Sequence, residues 1–427
     1  MGFVGFSALL TLSLLINSEK PIYCAKVDGV ISPVVAEYFV KVIDDAERND
    51  AQLVIFTLDT PGGLDESMRT IVKRILNSKV PICVYVHPRS ARAASAGVFI
   101  TMAAHIAAMT PGTHIGAAHP VVPNAQQVDS IMMKKLENEA AAYIRSIAQA
   151  RGRNEEWAEK AVRQSVSITA EEALKLNVID LLADNIDDLL DSLDGRTVPI
   201  NKDTVRLSLE NAEIVEFKMS LRERILLVLS NPNIAYLLFL LGIYGLIFEL
   251  SHPGSIVPGV IGVISIILAF YAFQVLPVNF AGILLMLVSI ALFIAEVYIT
   301  SHGLLAASGI VALFLGSLML FGRNLPPFLK VSMTTIILSV TITSLLILFL
   351  IYKAITAIRR KPVSGKEGLV GEIGIAKTEI TPKGGMVLVH GELWRAYSDV
   401  HIENGSEVEI IEVKGLRVKV RPHKTEE

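Results

Sequence analysis

The chain has 427 residues, 52% of them hydrophobic and 19% charged, with a mean hydropathy of +0.51. It is too long for one ordinary core and too apolar for a soluble protein, so two or three domains with membrane-inserted segments are expected. A formal net charge of -3 gives no reason to expect nucleic acid as a partner, and the 2 cysteines, Cys24 and Cys83, lie in apolar strand-like runs that suit buried free thiols better than a disulfide framework.

Residues 1–20 hold a short apolar run at 3–16. It is too short for a comfortable bilayer span and fits a signal peptide. No Lys or Arg precedes it and no clear cleavage site follows, so an N-terminal membrane anchor stays open. Residues 21–200 then alternate in type. Strands are expected at 21–27, 53–58, 80–86 and 105–109. Helices are expected at 33–47, 65–78, 90–104, 130–151 and 169–176. This alternation predicts an α/β domain with a largely parallel sheet covered by helices. Residues 201–232 read as a juxtamembrane linker.

From residue 233 the character changes. Five apolar windows, 234–250, 257–276, 280–298, 304–321 and 335–352, are each near the roughly 20 residues a bilayer needs. Helices without charge have no face to offer water, so residues 233–355 are expected to form an all-α membrane domain with five transmembrane helices. Glu249 and Glu296 fall at span ends, where a carboxylate can reach the interface. Residues 365–424 show short alternating runs punctuated by glycines, the pattern of a small all-β OB-like barrel. Its Trp394, Arg395 and Tyr397 are residue types that bind nucleic acid in such barrels. The mixed charge and the membrane tether favour a docking or structural role instead.

Topology follows by counting. With an exported signal, residues 21–220 lie outside the cell and five spans return the barrel to the cytoplasm. Lys353, Arg359, Arg360 and Lys361 agree with the positive-inside rule, while Arg323 and Lys330 go against it.

Chemistry centres on Ser95. It sits in Ala93-Ala-Ser-Ala-Gly97, after the turn Asp59-Thr-Pro-Gly-Gly63. A serine needs an adjacent base, and the oxyanion it generates needs preorganised N–H donors. Gly63 and Ala96 can supply these from the backbone, and Gly97 allows close approach of a neighbouring chain. Lys134, Lys135 and His119 are the available bases, with His105 and His114 weaker. A lysine base must be desolvated enough to be neutral, a histidine wants an orienting carboxylate, and spacing does not choose between them. Taken singly, the serine could be a packing residue, the lysine pair a solvated face, and Gly-Gly a plain turn.

Together with Pro111-Gly-Thr-His-Ile-Gly-Ala-Ala-His-Pro120, these motifs resemble the NfeD family, membrane-bound serine proteases of the ClpP class, in its long form. The resemblance spans the whole chain. It implies a ClpP/crotonase-like protease domain and an NfeD-type C-terminal barrel. Ser95 would then be the nucleophile, and the base a lysine on the helix leading into residues 142–154, which counting back places at Lys135. Lys134 is about 100° away around that helix. ClpP itself uses a Ser-His-Asp triad, and His119 lies near where its histidine would fall. The resemblance also implies a peptide substrate, stomatin-like (SPFH) partners at the bilayer, and a homo-oligomer. No cofactor and no metal are called for. A non-catalytic scaffold organising SPFH assemblies is the rival of a different class, and a crotonase-type thioester enzyme is a third reading.

Overall fold

The computed structural model describes residues 20–121, 129–200, 203–251, 254, 256–276, 278–299, 301, 303–321, 325, 329–358 and 366–423. The expected signal or anchor (residues 1–19), and also Arg323, Arg359, Arg360 and Lys361, lie outside these. The chain divides into two compact units, residues up to 294 with 301–342, and residues 295–300 with 343 onward.

The first unit opens with β1 (Ile22–Asp28), α1 (Pro33–Arg48), β2 (Leu53–Asp59), α2 (Asp65–Leu76), β3 (Ile82–Val86), β4 (Arg92–Ala94), α3 (Ala96–Ala103), β5 (Ile106–Met109) and β6 (His114–Gly116). It continues with α4 (Ser130–Ala150), α5 (Glu155–Arg163), β7 (Ser167–Thr169), α6 (Ala170–Lys175), β8 (Leu181–Leu182), α7 (Ile186–Leu193), β9 (Thr197–Ile200), β10 (Asp203–Arg206) and β11 (Ile214–Phe217).

A sheet of order β11-β1-β2-β3-β5-β8 runs parallel throughout. Its central strands are apolar on both faces, as strands covered by helices on each side must be. Val54, Phe56 and Leu58 of β2 enter the core under α1 to α5. Leu53 and Ile55 enter a second core with Leu189 and Leu193 of α7. Helix α1 begins where its sequence says it should: the Ser32 hydroxyl accepts the Val35 N–H, and Pro33 takes the first turn. Cys24 and Cys83 are free, and burial pushes both thiols up.

Two differences from the sequence expectation matter. The stretch expected as one helix over 90–104 is split: β4 pairs with β6, and α3 starts only after Ser95. The stretch read as a linker is ordered too. β11 forms a sheet edge on β1, and α8 (Leu221–Leu229) is tied to α1 by Lys41 and Glu223 at 2.9 Å.

Five apolar helices follow: α9 (Pro232–Ser251), α10 (Ile256–Val275), α11 (Phe280–Tyr298), α12 (Leu304–Met319) and α13 (Met333–Ile358). Three carry windows long and apolar enough to cross a membrane, Pro232–Leu250, Ile256–Gln274 and Met333–Leu350; the apolar stretches Phe280–Glu296 and Leu304–Met319 are shorter. Gly242 and Gly245 of α9 meet Gly262 of α10, the small-residue contact that lets two helices approach in lipid. The Tyr236 hydroxyl is hydrogen-bonded to Ser317 and Ser339 at 2.9 and 2.8 Å, so its polarity is satisfied within the bundle.

In the second unit α14 (Lys366–Leu369) leads into β12 (Ile373–Ala376), β13 (Gly385–Val389), β14 (Glu392–Tyr397), β15 (Glu407–Lys414) and β16 (Arg417–Pro422). They close as β12-β13-β14-β16-β15, with β14 and β16 parallel, around Val387, Val389, Val408, Ile410, Val418 and Val420. This is the expected five-stranded OB-like barrel.

Candidate functional site

Ser95 is presented by a crossing of short strands. The Thr60 N–H donates to the Arg92 carbonyl, and the Ala94 N–H to the Thr60 carbonyl, at 2.8 and 3.1 Å. The Ser95 N–H donates to the Ala117 carbonyl at 2.9 Å. Between these anchors Ser95 takes φ 51° and ψ -112°, a sparsely populated conformation for a residue with a Cβ. Such a residue persists only where its surroundings over-determine it.

Those surroundings are glycines. A Cβ on Gly62, whose φ is +117°, would sit 2.6 Å from the Ser95 Cβ, and one on Gly63 would sit 2.2 Å from the Ile31 carbonyl oxygen. The Gly62 carbonyl is taken by the Ile31 N–H and the Ile31 carbonyl by the Leu64 N–H. The N–H groups of Gly63 and Ala96 donate to no acceptor among the described residues. Both residues line the same cleft as Ser95. Ala96 also opens α3, whose dipole adds positive potential at this end. The far end is pinned: buried Arg153 donates to the Met102 and Ala104 carbonyls, Arg151 donates to Ala103, and Asp180 pairs with Arg153 at 2.6 Å.

The cleft holds about 200 Å3. Met68, Phe99, Ala118, Val121, Leu136 and Ala140 make it mainly apolar, with Asp65, Arg69, Glu139 and His119 at its polar positions. A larger groove of about 800 Å3 between α1 and α2 shares Asp65 with it, but brings no nucleophile beside free N–H donors. Chemistry therefore favours the smaller cleft.

The candidate bases separate. His119 lines the cleft, and its Nδ1 lies 2.9 Å from the Val162 carbonyl. Against a carbonyl, Nδ1 must donate, which leaves Nε2 as the acceptor. Its partner is a peptide oxygen, not a carboxylate. Lys134 and Lys135 are exposed on α4 and do not form the cleft wall. Helix phase distinguishes them. With Leu136, Glu139 and Ala140 facing the cleft, 100° steps put Lys134 on the far side and Lys135 on the flank, one turn before Glu139. The preceding residues 122–128 lie outside the described ones. His105 is structural: its Nδ1 accepts the Ile82 N–H at 3.2 Å, and burial, then Arg151 and Arg153, lower its pKa to about 3. His114 is exposed on β6 and does not line the cleft.

Sequence reasoning missed Arg69. It pairs with Asp65 at 2.7 Å and Glu139 at 2.6 Å and lies over the Tyr143 ring, 4.5 Å from its centroid. Burial opposes its charge, but the two carboxylates outweigh burial and raise its pKa. The four-residue Asp65–Arg69 spacing was the available signal. Among the described residues no group of three or more His, Cys, Asp or Glu could hold a metal ion.

Comparison with known proteins places these features. Family models match in chain order: "NfeD1b, N-terminal domain" over residues 21–216, "NfeD integral membrane domain" over 233–353, and "NfeD-like C-terminal, partner-binding domain" over 366–422. The membrane-bound protease PH1510 of Pyrococcus horikoshii is 37% identical over 422 residues, covering 96% of each chain. The membrane protein NfeD1b of Bacillus subtilis is 28% identical over 428 residues, covering 97% of this chain and 96% of its own. Among solved structures, the 1510-N membrane-bound stomatin-specific protease, a lysine-to-alanine mutant in complex with a substrate peptide, is similar at 36% identity and a TM-score of 0.46, covering 48% of this chain and 96% of that one.

Proposed function

The chain belongs to the NfeD family of membrane-bound proteases, and we propose that it is a serine endopeptidase with Ser95 as nucleophile and Lys135 as general base. In this reading Ser95 Oγ attacks the scissile carbonyl carbon and its proton passes to Lys135 Nζ. The Gly63 and Ala96 N–H groups hold the oxyanion. Collapse expels the amine, which takes its proton from Lys135, and water then cleaves the acyl-serine ester by the same route. The observation that carries the reading is Ser95 in a strained conformation, sharing a cleft with two backbone N–H groups that have no protein acceptor. The exposed Lys135 needs desolvation to act as a base. A substrate chain laid over the mouth of the cleft supplies it, consistent with catalytic contacts that tighten only in the complex.

The apolar cleft suits apolar segments of membrane-associated proteins. A stomatin-type (SPFH) protein is the substrate and partner we propose, since the relative of solved structure is described as stomatin-specific. We also propose a homo-oligomer, since Ile131 and Met132 stand exposed beside the cleft. The protease domain lies outside the cell and the barrel in the cytoplasm, because three or five spans alike carry the chain across.

One observation favours a second reading: His119 shares the cleft wall with Ser95, and the lysines do not. Peptide cleavage by the full chain in micelles separates the two. The dyad predicts a loss of several thousand-fold for Ser95→Ala and Lys135→Ala, with Lys134→Ala and His119→Ala active. Loss in His119→Ala with activity in Lys135→Ala would transfer the role of base. An inactive wild type, with Ser95 inert to serine-hydrolase probes, would leave a scaffold for SPFH assemblies.

A further inference from the structure

Residues 366–423 carry nine carboxylates against eight lysines and arginines, a nearly neutral balance. The charges are not mixed evenly. Lys383, Arg395, Lys414 and Arg417 converge on one groove of about 750 Å3, which Met386 and Tyr397 also line and no carboxylate does. The groove lies over β13, β14 and β16 and is rimmed by the β12–β13 and β15–β16 loops, the side where OB barrels receive ligands.

The register sharpens the point. Arg395 stands opposite Arg417, and Arg417 opposite Lys414, so three cations form one row across three strands. Like charges set opposite each other weaken a sheet. One carboxylate relieves the row, Glu412 at 3.2 Å from Lys414, while Lys383, Arg395 and Arg417 have no ion pair among the described residues. Elsewhere in the barrel cations do find partners: Lys419 with Asp399 at 2.6 Å and Arg421 with Glu409 at 2.8 Å. A row of unneutralised arginines is what a site for an external anion requires. Their planar forks match carboxylates two hydrogen bonds at a time.

We propose that this groove is where the barrel grips its partner, and that the partner presents an acidic polypeptide segment. The matching family model describes this domain as partner-binding, and a groove of this volume takes several residues where one phosphate would leave most of it empty. Helix α13, with an apolar window ending at Leu350, tethers the barrel near the bilayer, so the segment belongs to a membrane-associated protein. The proposal does not rest on the catalytic role of Ser95.

The test uses the full chain in uncharged detergent and a fluorescein-labelled hexaglutamate peptide, read by anisotropy. Arg395→Gln with Arg417→Gln should weaken binding at least tenfold, and Lys383→Gln, in a loop outside the strands, should weaken it severalfold. Arg421→Gln, which removes an equal charge outside the groove, should change it less than twofold, and probe labelling of Ser95 should be unaltered in all three. An equal loss in Arg421→Gln would reduce the effect to net charge and overturn the site. Displacement of the peptide by inorganic phosphate or short-chain phosphatidylglycerol at lower concentration than unlabelled hexaglutamate would make it a phosphate or lipid site. Tighter binding of a dT12 oligonucleotide would make it a nucleic-acid site.

Discussion

Ser95 departs from ordinary backbone geometry, and the cost is held in place by two neighbouring glycines. Gly62→Ala is therefore expected to do more than strain its own φ of +117°. The new methyl would press on the Ser95 Cβ, 2.6 Å away, and misplace the nucleophile. Peptide cleavage should fall roughly 100-fold, the usual scale for a displacement of about 1 Å at a reacting group. Normal cleavage by this variant would mean that the turn is not part of the site. His105 supplies a prediction of different kind. Its folded pKa of about 3 lies below the ordinary histidine value, so the unfolded chain binds the extra proton. The stability due to neutral His105 is complete above about pH 6.5 and is lost as pH falls toward about 3. His105→Asn keeps an acceptor for the Ile82 N–H without titrating there, so acid unfolding followed by circular dichroism should move to lower pH. An unchanged midpoint would show that His105 is not one of the groups driving it.

Helix α4 is two structures in one. From Ala140 onward it is buried against the domain, through Ala141, Ile144, Ile147 and Ala148. Its first ten residues stand largely clear, with Ile131 75% and Met132 49% exposed. What holds this arm is mostly ionic: Arg69 to Glu139 at 2.6 Å, and Arg163 to Glu137 and Asn138 at 3.3 and 2.7 Å. Lys135 rides on the arm, so Arg69 acts on the reaction through position. Arg69→Ala should lower kcat about tenfold, near 1.4 kcal/mol, with a smaller change in KM, and Arg69→Lys should recover part of it. In wild type, raising ionic strength should imitate the loss, because exposed pairs are screened. A kcat indifferent to both would sever the link between the arm and the base. The arm also explains what the sequence could reveal. Ser95 and Gly63 were legible because short motifs encode backbone geometry that few residues can adopt. The parallel sheet and the barrel were legible because their apolar periods are strong. The base was not, because Lys134 and Lys135 differ only in helix phase, set by contacts from Arg69 and Arg163 on other elements. The split at β4 was missed because Ala93 and Ala94 suit helix and strand alike, and pairing with His114 to Gly116 decides between them.

The three domains put the chemistry on one side of a bilayer and a cationic groove on the other. Two of the five apolar helices are short, so the number of crossings is open to measurement, but counts of three and five predict the same sidedness. A cysteine placed at exposed Asp203 should react with an impermeant maleimide in intact cells, and one at exposed Glu403 only after the membrane is opened; equal reactivity from one side would require an even number of spans. All of this assumes that residues 20–230 form a working serine hydrolase, and one measurement bears on that most directly. The full chain would be treated with a fluorophosphonate and the modified residue located by peptide mass spectrometry, in wild type and in Lys135→Ala. The account predicts a single adduct on Ser95, formed at least 100-fold more slowly without Lys135. An adduct on another residue, or labelling of Ser95 at the wild-type rate in Lys135→Ala, would contradict it.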